Sequence, residues 1–452
     1  MQADSHTPEG QGILLNAFAM NCVAHQSSGL WRHPRDRSSD YHRLDHWLTL
    51  ARTLERGLFD GIFLADVTGV YDVYQGSADA AIRTAMQIPT NDPYLLVPAM
   101  AAVTEHLGFG ITGAIPYEPP YAFARRMSTL DHLTAGRVAW NVVTGYLDSA
   151  ARGVGKARQT EHDTRYEIAA DYMTLMYKLW EGSWEDGAVI RDREAGIYAD
   201  PARVHQIAHH GPYFDLEAIH LCEPSPQRSP VIFQAGSSPK GQAFAAAHAE
   251  CVFIGAPDAA TVRSLREQAE AAGRRGDDLK IFALIAVVVD ETDAGARALL
   301  DDYGRYALPE GALALMSGWT GVDLSRFGLD ERVENVSSQA IQSAMTSLGS
   351  RTVREWGRSL SVGGAARVVV GAPDTVADQL EDWVRETGVD GFNLAYTVLP
   401  ECFESFVDLV VPELQKRGAY RTAYAHGTLR GKLFGRGDHL PAEHPGARYR
   451  VG

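Results

Sequence analysis

Cysteine is scarce in this chain. Its four residues in 452, Cys22, Cys222, Cys251 and Cys402, show no CxxC spacing. That excludes a disulfide-stapled small scaffold and a thiolate zinc knuckle. Cationic residues are outnumbered, 42 Lys and Arg against 57 Asp and Glu, for a formal net charge of −15. A deficit of that sign argues against nucleic acid as a partner, because phosphate binding needs clustered cations. Long apolar runs are missing too. None approaches the roughly 20 residues of a membrane span, so no membrane association is expected. The opening Met1-Gln-Ala-Asp-Ser-His6 has neither the basic nor the apolar region of a secretory leader. With the scattered cysteines, this makes a reducing cytoplasm the expected compartment. No GxGxxG follows the first apolar run, so the usual nicotinamide fingerprint is absent there.

Eight short β-branched or apolar runs are present: Gly12–Met20, Gly61–Asp66, Leu107–Ile115, Arg137–Gly145, Pro230–Gly236, Cys251–Ala256, Leu279–Asp290 and Asp390–Val398. Such uninterrupted runs read as strands buried on both faces. Helical spacing occupies much of the chain between them, as in His162–Trp184, where Ile168, Tyr172, Leu175, Met176 and Leu179 line one side. Eight strands with crossover helices form either an open doubly wound sheet or a closed barrel. The first strand ends in Met20-Asn-Cys-Val-Ala-His25 where the open sheet would carry its glycine fingerprint, so the expectation is an α/β fold of the (β/α)₈ barrel type. One domain over 1–452 is expected, with insertions at 185–229 and 308–365. The second should hold helices and wall the binding site. The tail, 419–452, is polar and rich in Gly and His, and is expected on the surface or against a second subunit.

Barrel chemistry sits at the carboxyl ends of the strands. Those ends offer Cys22 and His25, Asp66 with Tyr71 and Gln87 beyond it, Tyr117, Asn141, Thr144 and Tyr146, Gln234 with Ala235-Gly-Ser-Ser238, then Asn393 and Tyr396. The set is aromatic, polar and almost uncharged. It holds one carboxylate, not the pair a glycosidase needs, and lacks the several His and Asp of a metal-dependent hydrolase. Gly236, Ser237 and Ser238 read either as a phosphate cradle or as ordinary turn chemistry. His25 reads as a reactive or a structural imidazole, Cys22 as a nucleophile or a small buried apolar residue, and Asp66 as a site group or a helix cap. A Cys22 nucleophile with His25 as base would make a thiol hydrolase. His205, His209 and His210 have helical metal-ligand spacing, but lie in the first insertion with no Cys nearby.

Asn16–His25, Gly29-Leu-Trp-Arg-His-Pro34, Phe63-Leu-Ala-Asp66, Tyr71-Asp-Val-Tyr74, Ala124–Thr134, Ala139-Trp-Asn-Val-Val-Thr144, Lys178–Asp186, Cys222–Arg228 and Val389-Asp-Gly-Phe-Asn-Leu394 together carry a family likeness. The chain resembles the flavin-dependent monooxygenases of the bacterial luciferase-like superfamily. Within them it is most similar to the two-component branch of nitrilotriacetate, dibenzothiophene-sulfone, long-chain alkane and dimethylsulfide monooxygenases, and to the last two above all. The resemblance implies FMN, used as FMNH2, with O2 as co-substrate and a C4a-hydroperoxyflavin as oxidant. It implies a separate NADH-dependent flavin reductase as partner, a small apolar organic substrate, an organosulfide first, and a homodimer or homotetramer. Terminal alkane hydroxylation and Baeyer-Villiger oxygenation are the alternatives within the same chemistry. The implied catalytic residues are Cys22, His25, Tyr71 and Gln87. The implied cofactor residues are Asp66, Asn141, Gly145, Tyr146, Tyr166, Ala235, Gly236, Ser237 and Ser238. The likeness to the alkane enzymes departs at Tyr146, Ala312 and Leu315, where they carry His, and Gly145 stands where the family usually has Ser.

Overall fold

In the computed structural model, residues 12–236, 238–333 and 351–452 are described. The eight apolar runs are eight parallel strands: β1 (Leu14–Met20), β2 (Gly61–Ala65), β3 (Gly108–Ala114), β4 (Val138–Val143), β5 (Val231–Gln234), β6 (Cys251–Ile254), β7 (Lys280–Val289) and β8 (Gly391–Ala395). Each pairs with the next up to β7, β7 pairs with β8, and β8 with β1 through Leu14↔Gly391 to Phe18↔Ala395, so the sheet closes into a barrel.

The period-2 geometry of β1 explains its unbroken hydrophobicity. Ile13, Leu15, Ala17 and Ala19 face the helices, and Leu14 and Phe18 face the barrel axis. Phe18, Phe63, Phe233 and Phe253 fill that axis, meeting edge to face at centroid distances of 4.9 to 5.5 Å. Asn16 Nδ2 donates to Asn393 Oδ1 at 3.0 Å, a buried polar pair below the aromatic layer.

A ninth strand was not expected. Arg367–Gly371 pairs in parallel with the upper half of β7, Ile285↔Arg367 to Val289↔Gly371, while the lower half of β7 pairs with β8. At ten residues β7 outruns its barrel neighbours and offers an edge, which the Val368-Val-Val370 run covers. The first insertion holds two hairpins, Val189–Asp192 with Ile197–Ala199 and Ile207–His210 with Asp215–Ala218. The second holds the helices Pro309–Thr320 and Val353–Ser359.

The tail, expected on the surface or against a second subunit, is exposed over much of its length but buries one part in the barrel. Its helix, Leu429–Phe434, plugs the amino-terminal end of the barrel, with Leu429 and Leu433 against Gly61, Gly108 and Phe233. Buried polar anchors override the hydrophilic composition. Arg430 donates to both oxygens of Glu250, at 2.6 and 2.9 Å, and to the carbonyls of Ser229 and Pro230. Arg421 pairs with Asp60 at 2.7 Å and Arg450 with Glu181 at 2.9 Å. Glu181 is thus a fully buried partner of the tail. Among the described residues no helix is long and apolar enough to cross a membrane.

Candidate active site

A cavity of about 250 Å³ opens at the carboxyl ends of β2 to β5. Its floor is Asp66, Ala114, Val142 and Gln234. Its walls are Tyr117, Gly145, Tyr146, Leu147 and Ala150. Its far end is closed by the first turn of the helix His162–Gly182, through His162, Arg165 and Tyr166, and by the turn Ala235, Gly236 and Ser238. Ser237 lies outside the described residues. Ser238 caps the helix Pro239–His248, its hydroxyl accepting from Gly241 N at 3.1 Å. Two helix amino termini and the buried Arg165 therefore face one end of the cavity, a field that favours an anion. Arg165 also donates to the carbonyl of Gly145, whose φ of 70° suits glycine.

Gly236 is required by closeness. A Cβ there would lie 2.3 Å from Gln234 Nε2 and 2.8 Å from the Tyr166 hydroxyl. Gln234 Oε1 and Asn141 Oδ1 are buried with no partner among the described residues, though Asn141 Nδ2 donates to Thr112 Oγ1 at 2.9 Å. Among the described residues, Asp66 is the only carboxylate that lines the cavity. Burial, aided by Asp92 and Glu118, pushes it up to about 7, so it is partly protonated at neutral pH.

Behind Tyr146 lies a closed layer. The Tyr146 and Tyr71 hydroxyls meet at 2.6 Å, Tyr71 donates to Gln87 Oε1 at 3.0 Å, and Gln87 Nε2 donates to the His25 carbonyl at 2.8 Å. Burial raises both phenols, Tyr146 to about 12. The helix Pro309–Thr320 covers the pair, and Gly318 brings its backbone against the Tyr71 ring. Tyr71, Tyr146, Leu147, Leu315 and Trp319 form one apolar cluster there. His25 is buried edge to face on Phe18 at 4.4 Å, and burial lowers its pKa to about 3, so it is neutral. Burial, with Asp66 nearby, raises the Cys22 thiol far above its ordinary range. Neither group suits a thiolate–imidazolium hydrolase, which needs the reverse shifts.

The profile of the luciferase-like monooxygenase family matches residues 18–391. The chain belongs to that family. It is 52% identical over 449 residues to dimethyl-sulfide monooxygenase of Hyphomicrobium sulfonivorans, covering 97% of this chain and 94% of the relative. It is 50% identical over 443 residues to long-chain alkane monooxygenase of Geobacillus thermodenitrificans (strain NG80-2), covering 97% and 98%. The solved structure of riboflavin lyase with modified FMN and riboflavin superposes with a TM-score of 0.93 at 35% identity, over 98% of this chain and 100% of that one. The protein is accordingly an oxidoreductase of the monooxygenase type.

This luciferase-like chain distributes its expected site residues over two neighbouring layers. Asp66, Gly145, Tyr146, Tyr166, Ala235, Gly236 and Ser238 line the cavity. Asn141 sits buried on β4 at its edge, and Cys22, His25, Tyr71 and Gln87 lie behind Tyr146. The sequence reading passed over His162, Arg165, Phe244 and Trp319. His162, Arg165 and Tyr166 fall at i, i+3 and i+4, one face of a first helical turn, and that spacing was the available signal. His205 and His209 are engaged elsewhere, with Glu185 at 2.8 Å and Asp171 at 3.0 Å.

Proposed function

We propose that the protein is the oxygenase of a two-component system that takes FMNH2 from a separate NADH-dependent reductase and uses O2 to oxygenate a small apolar substrate. An organosulfide such as dimethyl sulfide is the best candidate. The observation that carries this reading is one cavity with an anion-favouring end and, one hydrogen bond away, an apolar cluster. Arg165, His162, Tyr166 and Ser238 would hold a mononucleotide phosphate, with the close Gly236 backbone as its cradle. The partnerless Gln234 Oε1 and Asn141 Oδ1 are acceptors suited to ring and ribityl donors. Reduced flavin, when bound, supplies the electrons and the activation of O2.

The chain supplies positioning, dryness and proton control. Tyr146 joins the two layers, and its bond to Tyr71 fixes the wall between cofactor and substrate. Burial of His25 and Tyr71, 2% and 1% exposed, keeps water from the reacting edge. Asp66 holds or releases a proton near neutral pH at its carboxyl. Tyr71, Tyr146, Leu315 and Trp319 leave a wall that, among the described residues of this cluster, has no cation or carboxylate to bind a charged substrate. The relatives' names, with dimethyl sulfide at 52% and long-chain alkane at 50% identity, support the same substrate class. A homodimer or homotetramer is part of the proposal and is read by light scattering.

The test is a product screen with a generic flavin reductase, NADH, FMN, ¹⁸O₂ and three substrates: dimethyl sulfide, a long-chain alkane and a cyclic ketone. One ¹⁸O atom in product from the thioether is expected. Hydrogen peroxide alone with all three would overturn the reading, and product from the alkane alone would replace the substrate.

A further inference from the structure

His25 lies on a loop whose next residues are buried without being apolar: Gln26, Ser27 and Ser28 are 5%, 3% and 0% exposed. Polar side chains are buried at a cost unless they make specific bonds. Gln26 Nε2 sits 3.3 Å from His25 Nε2. An amide nitrogen donates and cannot accept, so the ring nitrogen it faces is the acceptor. A neutral imidazole has one N–H, which this contact assigns to Nδ1. His25 Nδ1 is buried and has no partner among the described residues. The ring therefore presents an unspent donor, and an unspent buried donor is costly unless an acceptor arrives to meet it.

Gln26 is itself clamped. The turn leaving the second insertion has Gly363 and Gly364 in succession at φ 78° and 60°. A Cβ on Gly364 would lie 2.4 Å from Gln26 Oε1 and 2.8 Å from Gln26 Cβ, so only glycine lets this turn close over the amide. Gly363 N donates to Ser27 Oγ at 2.9 Å, and Ser27 Oγ donates to the Tyr396 carbonyl at 3.3 Å. On the opposite side Gln87 holds the His25 carbonyl. Ring nitrogen, ring face and backbone are each held by a different element.

We propose that Gln26 is a positioning residue that fixes His25 as the Nδ1–H tautomer, so that His25 meets the reacting oxygen as a neutral hydrogen-bond donor at Nδ1 and takes no proton itself. The double glycine at 363–364 is the brace that aims the amide. This rests on the monooxygenase reading for what arrives at Nδ1, but the tautomer is a property of the free protein. The assignment rests on which end of the Gln26 amide faces the ring, and Gln26 Oε1 at its other end is buried with no hydrogen-bond partner among the described residues.

The decisive experiment is ¹H–¹⁵N correlation of ring nitrogens in ¹⁵N-histidine-labelled protein at neutral pH, with the His25 signals identified by their loss in His25→Asn. Wild type should show a protonated Nδ1 and a bare Nε2. Gln26→Glu, whose carboxylate accepts, should move the proton to Nε2. Gln26→Leu should leave a tautomer mixture. In both variants flavin affinity should hold, while product per O2 consumed falls about a hundredfold in Gln26→Glu, the lower end of what losing one preorganised donor costs, and in Gln26→Leu only in proportion to the share of ring protonated at Nε2. A protonated Nε2 in wild type, meaning that the amide presents its oxygen to the ring, would overturn the proposal without any variant. Unchanged tautomer and coupling in both variants would overturn it as well. If wild type turns over none of the offered substrates, the oxygenase reading fails while the tautomer measurement still decides this one.

Discussion

Gly318→Ala sets local propensity against tertiary packing, with opposite signs. Gly318 lies inside the helix Pro309–Thr320, where replacing Gly by Ala ordinarily stabilises by about 1 kcal/mol. Here the new Cβ would lie 2.0 Å from Tyr71 Cδ1 and 2.6 Å from Cε1, far inside the ~3.5–4.0 Å of carbon contact. The Tyr71 ring cannot yield freely, because its hydroxyl is held by Gln87 at 3.0 Å and Tyr146 at 2.6 Å. Overpacking costs about 1–3 kcal/mol. Stranding one buried hydroxyl partner adds about 1–3 kcal/mol. Less the propensity gain, the variant should be destabilised by about 1–5 kcal/mol. Urea unfolding reads this as a lower midpoint at unchanged m. A double-mutant cycle with Tyr71→Ala should recover most of the loss, since the two positions are in contact. A variant as stable as wild type, or more so, would refute the packing of this helix on Tyr71.

Asp66→Asn should flatten the pH dependence of stability. A carboxyl raised to about 7 contributes stability that is complete below its ordinary value near 4 and is lost as pH rises through 7. Relative to wild type, Asn should therefore gain about 2 kcal/mol between pH 5 and pH 9 in urea titrations, reduced for partial exposure from the roughly 2.7 kcal/mol that a folded value of about 7 gives from pH 5 upward; parallel pH slopes would contradict it. Arg430→Met strands the buried Glu250 and should cost about 3–5 kcal/mol in thermal or urea unfolding, with much of it recovered by adding Glu250→Gln. Gly236→Ala should weaken FMN binding about tenfold or more, about 1.4 kcal/mol, as read by flavin fluorescence titration, and should also lower the urea midpoint, because its Cβ would lie 2.3 Å from Gln234 Nε2 in the free protein.

The barrel was legible because each strand is buried on both faces, so runs such as Lys280–Val289 stand out unaided. The ninth strand was not, because Val368-Val-Val370 gains its role only from the overhang of β7. The buried part of the tail was not legible for a related reason. Its helix has two apolar anchors, Leu429 and Leu433, and is otherwise held by Arg430 through Glu250, a residue 180 positions away. Composition sees the polar residues and not their buried partners. At the site, groups at strand ends were readable from position alone. Arg165 was not, since a cation on an amphipathic helix reads as a solvated face until the fold turns it inward. Gln26 was equally silent, because its significance lies in the 3.3 Å to the neighbouring ring and in a glycine pair more than 330 residues away.

The proposed function requires that one mononucleotide span the cavity from the Tyr146 wall to the Arg165 end. Crystals soaked with FMN test it directly. Difference density is expected with the phosphate within hydrogen-bond reach of Ser238, Tyr166 or Arg165 and the ring system beside Asp66 and Tyr146. Density with the phosphate turned toward Tyr146, or ring density outside this cavity, would contradict it.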